Sequence, residues 1–142
     1  MTHVLKETAR IDDEVIKAFQ NLDVATVYEA SGRKGFIDSA IKPAAVGARI
    51  CGPAYTVQCA PGDNLMLHKA LQRAPAGSVL VASVGGAYDF GYWGGMMATA
   101  AKSRGILGLA IDGCVRDSEE IARMPFSMFC RGFCIKGTTK AS

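Results

Sequence analysis

The sequence predicts a single α/β domain, spanning residues 1–142, that is built on a parallel sheet. Two short apolar runs, at 78–84 and 106–112, have the composition of strands buried on both faces. Helical patterns separate these runs, and such alternation is typical of a parallel sheet. A chain of 142 residues suits one domain, and 49% hydrophobic with 20% charged residues is the balance of a globular protein. Disordered and coiled-coil classes are therefore excluded.

The predicted elements are delimited by caps, turns and prolines. Asp23 is a suitable N-cap for the second helix, and Pro53 favours an edge or a bulge for the first strand. The helix at 93–104 has apolar residues at helical spacing, which predicts one buried face formed by Trp93, Met96, Met97, Ala100 and Ala101. In chain order, the predicted elements are helices at 11–20 and 23–30, a strand at 48–60, a helix at 65–73, a strand at 78–84, a helix at 93–104, a strand at 106–112, a helix at 118–124 and a strand at 127–131.

Charge and hydropathy exclude several classes of partner. The 16 Lys and Arg residues exceed the 13 Asp and Glu residues by only three and are scattered, so no nucleic-acid partner is expected. No stretch approaches the roughly 20 consecutive apolar residues that span a membrane. The first ten residues hold charge but no apolar core, so the sequence predicts no signal peptide and a cytoplasmic protein.

Cysteine and histidine usage limits the kinds of metal site. The cysteine count is odd and no C-x-x-C pair occurs, which favours reduced thiols that pack as small hydrophobic residues. The five cysteines are Cys51, Cys59, Cys114, Cys130 and Cys134. Only His3 and His68 are present, so a metal would need oxygen ligands. His68 lies among leucines, which favours a structural role over that of a general base.

Three loops follow predicted strands and are candidates for a ligand site. They are residues 61–64, 85–95 and 113–117, and ligands of open α/β sheets bind at the carboxyl ends of the strands. Gly94 and Gly95 precede a helix whose free N–H groups and positive dipole end would suit a carboxylate or phosphate. Close packing of helix against strand is the alternative reading of these glycines.

Arg116 and Asp117 are the second candidate feature. An arginine can clamp a planar carboxylate with two hydrogen bonds, and an adjacent aspartate can ligate a divalent cation. The alternative is a surface ion pair, with Asp117 capping the helix that follows. Together with the helix start at Gly94, the pair predicts a site for a metal-chelated 2-oxo acid.

Three segments closely resemble one protein family. They are PGDNLMLHKAL at 61–71, GYWGGMMATAAKSRGILGLAIDGCVRD at 91–117 and KGTTKA at 136–141. The family comprises the 4-hydroxy-4-methyl-2-oxoglutarate and 4-carboxy-4-hydroxy-2-oxoadipate aldolases, which are metal-dependent class II pyruvate aldolases. It also includes the regulator of ribonuclease E activity A, or RraA.

The resemblance implies a fold and a set of residue roles. The fold is an RraA-like α/β/β sandwich related to swivelling phosphohistidine domains, assembled as homotrimers or hexamers. Arg116 would bind the 2-oxo-acid end of the substrate and stabilise the enolate, and Asp117 would ligate a divalent cation, Mg²⁺ or Mn²⁺. The backbone amides that would bind the pyruvyl carboxylate belong to Gly94, Gly95, Met96 and Met97. Family members continue past the GTTK turn, so the chain is expected to lack the C-terminal part of the fold.

The implied reaction is retro-aldol cleavage of a 4-hydroxy-2-oxo diacid to pyruvate and a second 2-oxo acid, with oxaloacetate decarboxylation as a side activity. Aldolases of the family carry an acid 21 positions before the arginine, where this sequence has Gly95. The base stays open between a metal-bound hydroxide, Asp63 and Asp89. The alternative function is that of a non-catalytic protein that binds and inhibits a ribonuclease, and Gly95 favours it.

Overall fold

A five-stranded sheet and five helices organise residues 10–141, the part of the chain that the computed structural model describes. The helices are α1 Asp13–Gln20, α2 Val24–Ala30, α3 Leu65–Arg73, α4 Gly95–Ser103 and α5 Ser118–Arg123. The strands are β1 Lys42–Pro43, β2 Ala54–Gln58, β3 Val79–Ser83, β4 Gly108–Asp112, β5 Cys114–Val115, β6 Ser127–Cys130 and β7 Gly132–Phe133. His3 and the amino-terminal residues used to exclude a signal peptide lie outside the described residues.

The main sheet confirms the predicted α/β class. Its strand order is β1-β6-β4-β3-β2, and all neighbouring pairs are parallel except the antiparallel pair of β1 and β6. A second sheet consists of β5 and β7, which are also parallel. The three strands β1, β5 and β7 were not predicted. Each has only two residues, too few to show a periodic pattern.

The edge position of β2 is confirmed, although the strand is shorter than predicted. It begins at Ala54, directly after Pro53, whereas the apolar pattern extends back to residue 48. Proline has no N–H group to donate to a strand ladder. The carbonyl of Pro53 still accepts a hydrogen bond from the Val79 amide at 2.8 Å, so the proline marks the start of the pairing with β3.

The core lies between the sheet and helices α3, α4 and α5. Trp93 is fully buried and stacks on Phe126 with 6.3 Å between ring centroids. The predicted inner face of α4 is partly wrong, because Met96 is 86% exposed. Small residues form the buried face instead, namely Gly95, Ala98 and Ala101. Ala98 and Ala101 belong to the core, and α4 packs against α3 and α5.

Asp23 caps α2 as predicted, since its carboxylate accepts hydrogen bonds from the amides of Ala25 and Thr26.

All five cysteines are free thiols. Burial raises the pKa of the Cys59 thiol to about 11, which keeps it protonated. Among the helices of residues 10–141, none is long and apolar enough to cross a membrane.

Arg131 joins the segment before β1 to the carboxyl end of β4 through hydrogen bonds. Its Nε donates to Asp112, its Nη2 donates to Asp38 Oδ2 at 2.9 Å, and its Cζ lies 4.1 Å from the ring centroid of Tyr88. The backbone N–H of Ala40 and the Arg131 guanidinium hold the pKa of Asp38 below its usual value. Arg131 therefore has a structural role, because its guanidinium binds both Asp112 and Asp38.

The Asp63 side chain joins the carboxyl-terminal segment to the loop before α3 through hydrogen bonds. Its Oδ2 accepts hydrogen bonds from Thr139 Oγ1 at 2.8 Å and from the Ala141 amide at 2.6 Å. Its Oδ1 accepts from the Leu65 amide at 2.8 Å, at the start of α3. The side chain is buried, and a buried carboxylate is stable only when its oxygens are satisfied in this way.

We expect Asp63→Ala to lower the free energy of unfolding by about 3 kcal/mol, because charge-assisted hydrogen bonds are lost and buried donors are left unsatisfied. Urea denaturation followed by circular dichroism measures the change. The control is Asp89→Ala, which removes an exposed loop carboxylate. Equal stability of the two variants would contradict the anchoring role of Asp63.

Gly91 is required by a close approach of two segments. Its amide donates to the Lys136 carbonyl at 2.8 Å, and a Cβ built on Gly91 would overlap the backbone carbonyl of Cys134 and lie 3.1 Å from Arg116 Cβ. Backbone cannot move aside as a flexible side chain can, so the position accepts only glycine.

Gly91→Ala is expected to cost about 3 kcal/mol of folding free energy, since overpacking forces backbone shifts. Thermal and urea denaturation measure this cost. Gly137→Ala is the matched control, because nothing lies within 4 Å of a Cβ built at that glycine. A neutral Gly91→Ala variant would refute the close approach.

Candidate active site

The three loops predicted to hold the site do meet at the carboxyl ends of β2, β3 and β4. The Gly62 amide donates to Tyr92 Oη at 2.8 Å, which joins the first loop to the second. The Tyr92 amide donates to the Cys114 carbonyl at 3.0 Å, and the Arg116 amide donates to the Trp93 carbonyl at 2.8 Å. These bonds join the second loop to the third, so the three candidate loops lie together at one edge of the sheet.

Tyr92 connects the three loops, although no role was predicted for it. Its hydroxyl accepts from Gly62 and donates to the Ala87 carbonyl at 2.8 Å. Its backbone carbonyl accepts from Asn64 Nδ2 at 2.9 Å. Burial raises the pKa of the phenol, which therefore stays protonated and keeps its donor.

The Asp117 carboxylate faces the beginning of α4. Its Oδ2 accepts a hydrogen bond from the Gly95 amide at 2.9 Å. Asp117 occupies the N-cap position of α5 in a left-handed conformation with φ 61° and ψ 47°, yet its side chain makes no capping hydrogen bond to α5. The alternative prediction that Asp117 caps its own helix is therefore wrong, because the turned backbone aims the carboxylate at the neighbouring helix.

Arg116 lies beside Asp117 and over Gly94. Its Nε is 3.9 Å from Asp117 Oδ2, and the two side chains are 51% and 40% exposed. An ion pair this open contributes little to stability, so the guanidinium keeps donors available for a ligand. A Cβ on Gly94 would overlap Asp117 Oδ2 and lie 3.1 Å from Arg116 Nε. Glycine at 94 thus makes room for both charged groups.

The first turn of α4 supplies backbone donors to the same place. An α-helix leaves the N–H groups of its first turn without intrahelical acceptors, and here these belong to Gly95, Met96 and Met97. The Gly95 amide already serves Asp117. A ligand carboxylate would therefore have the amides of Gly94, Met96 and Met97 to bind to, and the roles of all four amides in substrate binding stay predictions.

Glu120 belongs to this cluster and was missed from the sequence. A Cβ built on Gly95 would overlap both oxygens of the Glu120 carboxylate, so this side chain lies directly against the Gly95 backbone. A cleft of about 730 Å³ opens beside it. Its lining residues include Asp117, Glu120, Arg123 and Met124. Glu120 lies within the short helix α5, and no local sequence signal distinguishes it from the neighbouring Glu119.

The oxygen donors of the cluster fit a magnesium-type cation. Within residues 10–141, no group of three or more His, Cys, Asp and Glu side chains is placed to hold a metal. Mg²⁺ keeps several waters and is bound by one or two carboxylates together with the substrate. Asp117, whose second carboxylate oxygen is not used by the Gly95 amide, matches that smaller requirement. The Asn64 side chain also contacts α4, since its Nδ2 is 3.8 Å from Met97 Sδ. The Oδ1 atom of the same side chain is buried and has no hydrogen-bond partner within the described residues.

Other residues considered for chemistry have different environments. The Asp63 carboxylate is hydrogen-bonded to the carboxyl-terminal segment, and the Asp112 carboxylate is hydrogen-bonded to Arg131. Burial and the nearby Lys140 lower the pKa of His68, which keeps this half-buried imidazole neutral at pH 7. Asp89 stays exposed in the loop after β3. None of these side chains is bonded to the Gly95–Asp117 cluster in the part of the chain that is described.

Comparison with known proteins places this geometry in a family. The sequence profile of the RraA-like family, described as Aldolase/RraA, matches residues 8–142. A protein of Halalkalibacterium halodurans named "Putative 4-hydroxy-4-methyl-2-oxoglutarate aldolase" is 33% identical over 127 residues, which are 89% of this chain and 60% of that protein. The chain therefore spans less than two thirds of the length of this curated relative.

Solved structures share the fold. The Streptomyces coelicolor protein RraAS2, described as an unusual member of the RNase ES inhibitor RraA protein family, superposes with a TM-score of 0.81 at 24% identity. That match covers 93% of this chain and 70% of the other. The RNA-processing inhibitor RraA from Thermus thermophilis gives a TM-score of 0.77 at 24% identity, covering 86% and 74%. The profile match over nearly the whole chain, joined to this fold, shows that the chain belongs to the RraA-like family.

Proposed function

We propose that the protein is a class II pyruvate aldolase. In this proposal it cleaves a 4-hydroxy-2-oxo diacid, of the 4-carboxy-4-hydroxy-2-oxoadipate or 4-hydroxy-4-methyl-2-oxoglutarate type, to pyruvate and a second 2-oxo acid. The observation that carries the proposal is the meeting of Arg116, Asp117 and the first turn of α4 in one place. That combination offers a cation, a metal-binding oxygen and backbone donors to one small anion.

Binding of the 2-oxo acid follows from the donors in the cluster. The amides of Met96 and Met97 point along the positive end of the α4 dipole, which favours a carboxylate. The Arg116 guanidinium adds positive charge beside the same turn. The substrate's C1 carboxylate would bind to these amides, which leaves its C2 carbonyl oxygen toward Arg116 and Asp117.

Asp117 would hold the divalent cation, Mg²⁺ or Mn²⁺, through the carboxylate oxygen that the Gly95 amide does not use. When bound, such a cation supplies Lewis-acid polarisation of the C2 carbonyl. The hydrogen bond from Gly95 fixes the orientation of the Asp117 carboxylate, as the partners of a metal ligand commonly do.

The chemical step breaks the C3–C4 bond of the substrate. The proton of the C4 hydroxyl leaves, the C4 oxygen becomes a carbonyl, and the bonding electrons pass to C3 and on to the C2 oxygen. Arg116 stabilises the negative charge that develops on that oxygen. Decarboxylation of oxaloacetate produces the same enolate and is the expected side activity. We expect the assembly to be a homotrimer or hexamer.

The first test measures pyruvate release in a coupled assay with Mg²⁺ and the two diacids. Arg116→Ala and Asp117→Asn are each expected to lower kcat/KM by about 100-fold or more, since each removes charge stabilisation of the transition state. The control is Arg123→Ala. Arg123 lines the same cleft but is highly exposed and lies 3.9 Å from Glu119.

Two outcomes would count against the aldolase. Activity that is equal in wild type and both variants would remove Arg116 and Asp117 from the mechanism. A folded wild type that releases no pyruvate but inhibits ribonuclease E in a cleavage assay would establish the alternative, a non-catalytic inhibitor. The absence of a carboxylate side chain at Gly95 is the observation that favours this second candidate.

A further inference from the structure

We propose that Glu120 is the catalytic acid and base of this site, an inference that rests on the proposed aldolase function. Gly95 and Glu120 are complementary in shape. The Glu120 carboxylate fills the volume that a side chain at position 95 would need. The site therefore has a carboxylate beside the start of α4, and α5 supplies it.

The surroundings of Glu120 leave its oxygens available for a substrate. Asp117 Oδ2 is bonded to the Gly95 amide, whereas the Glu120 side chain has no hydrogen bond or ion pair within residues 10–141. Both carboxylates border the cleft of about 730 Å³. The Asp117 carboxylate is thus oriented by the Gly95 amide and suits a cation, whereas the Glu120 carboxylate is not hydrogen-bonded within the described residues and suits the transfer of a proton.

The charges near Glu120 come from two elements. Arg116 and Asp117 lie in the loop before α5, and Glu119 and Arg123 lie on α5 itself. Glu119 is 3.9 Å from Arg123 and points to solvent, with 88% of its side chain exposed. The facing residue of α4 is Gly95, which carries no charge. Arg116 Nε lies 3.9 Å from Asp117 Oδ2, so the cluster also contains a cation.

The proton transfer balances without any further reactant. Glu120 accepts the proton of the C4 hydroxyl while the C3–C4 bond breaks and the C4–O bond becomes a carbonyl. The electron pair of the broken bond forms the enolate of pyruvate. The protonated Glu120 then returns the same proton to C3 of the enolate, which yields pyruvate and regenerates the carboxylate.

Glu120→Gln tests the role, because the amide keeps the shape and loses the proton acceptor. General acid–base catalysis typically contributes about 100- to 10,000-fold, so kcat is expected to fall by about 100-fold or more. KM and the Mg²⁺ concentration that gives half-maximal activity are expected to stay within about twofold of the wild-type values. Glu119→Gln is the matched control, one position away on α5, and it is expected to keep full activity.

A swap of the two positions provides a readout that does not depend on activity. Gly95→Asp places a second carboxylate against that of Glu120 and is expected to lower Tm by about 3 °C, because the exposed Glu120 side chain can move aside but the two like charges stay close together. Adding Glu120→Ala to that variant removes the overlap and should restore most of the lost Tm. Such non-additivity is the signature of two residues in contact. The double variant should also recover part of the kcat that Glu120→Ala alone loses.

Each result has a separate meaning. A wild type that is active, together with an equally active Glu120→Gln variant, overturns the role of Glu120 and leaves the aldolase standing. A rise of more than about tenfold in the Mg²⁺ requirement of Glu120→Gln also overturns it, because Glu120 would then be a metal ligand. Additive Tm changes in the swap refute the contact. A wild type without pyruvate release refutes the aldolase and this proposal together.

Discussion

The hydrogen bond from the Gly95 amide to the Asp117 carboxylate is the interaction on which the candidate site depends. It connects the start of α4 to the short loop between β5 and α5, two places that are 22 residues apart in the chain. The parallel pairing of β3 with β4 brings these places to the same edge of the sheet. The bond then fixes a carboxylate at the positive end of a helix, where negative charge is stabilised.

Glycine at three positions makes this contact possible. Gly91 admits the Cys134 backbone, Gly94 admits Asp117 and Arg116, and Gly95 admits Glu120. Each of these glycines occupies a place where a Cβ would meet another group, so the glycine-rich loop is a packing requirement. The close packing at Gly94 and Gly95 is against the side chains of Arg116, Asp117 and Glu120 and not against a strand, while ligand binding by their amides stays a prediction.

Elements with strong local signals were predictable from the sequence. The apolar runs at 78–84 and 106–112 became β3 and β4, and Asp23 became the cap of α2. The outward position of Met96 was not predictable, because apolar spacing alone does not show which side of α4 packs against its neighbours α3 and α5. Local sequence also cannot show that Asp117 adopts φ 61° and turns toward α4 instead of capping α5.

The candidate site likewise contains residues that the sequence indicated and one that it did not. Arg116 and Asp117 attract notice because they are adjacent charged residues after a buried strand, and the family resemblance adds their implied roles. Glu120 lies in an ordinary helical segment, SEEIAR, and gives no such signal. Only the three-dimensional contact with Gly95 relates it to the missing acid at that position.

The most direct measurement of the central claim is calorimetric titration with oxalate, a mimic of the pyruvate enolate, with and without Mg²⁺. The account predicts that wild type binds oxalate only in the presence of the cation, and that Asp117→Asn weakens this binding by about tenfold or more, as loss of a metal ligand requires. Oxalate binding of equal strength in both proteins, or binding independent of Mg²⁺, would contradict it.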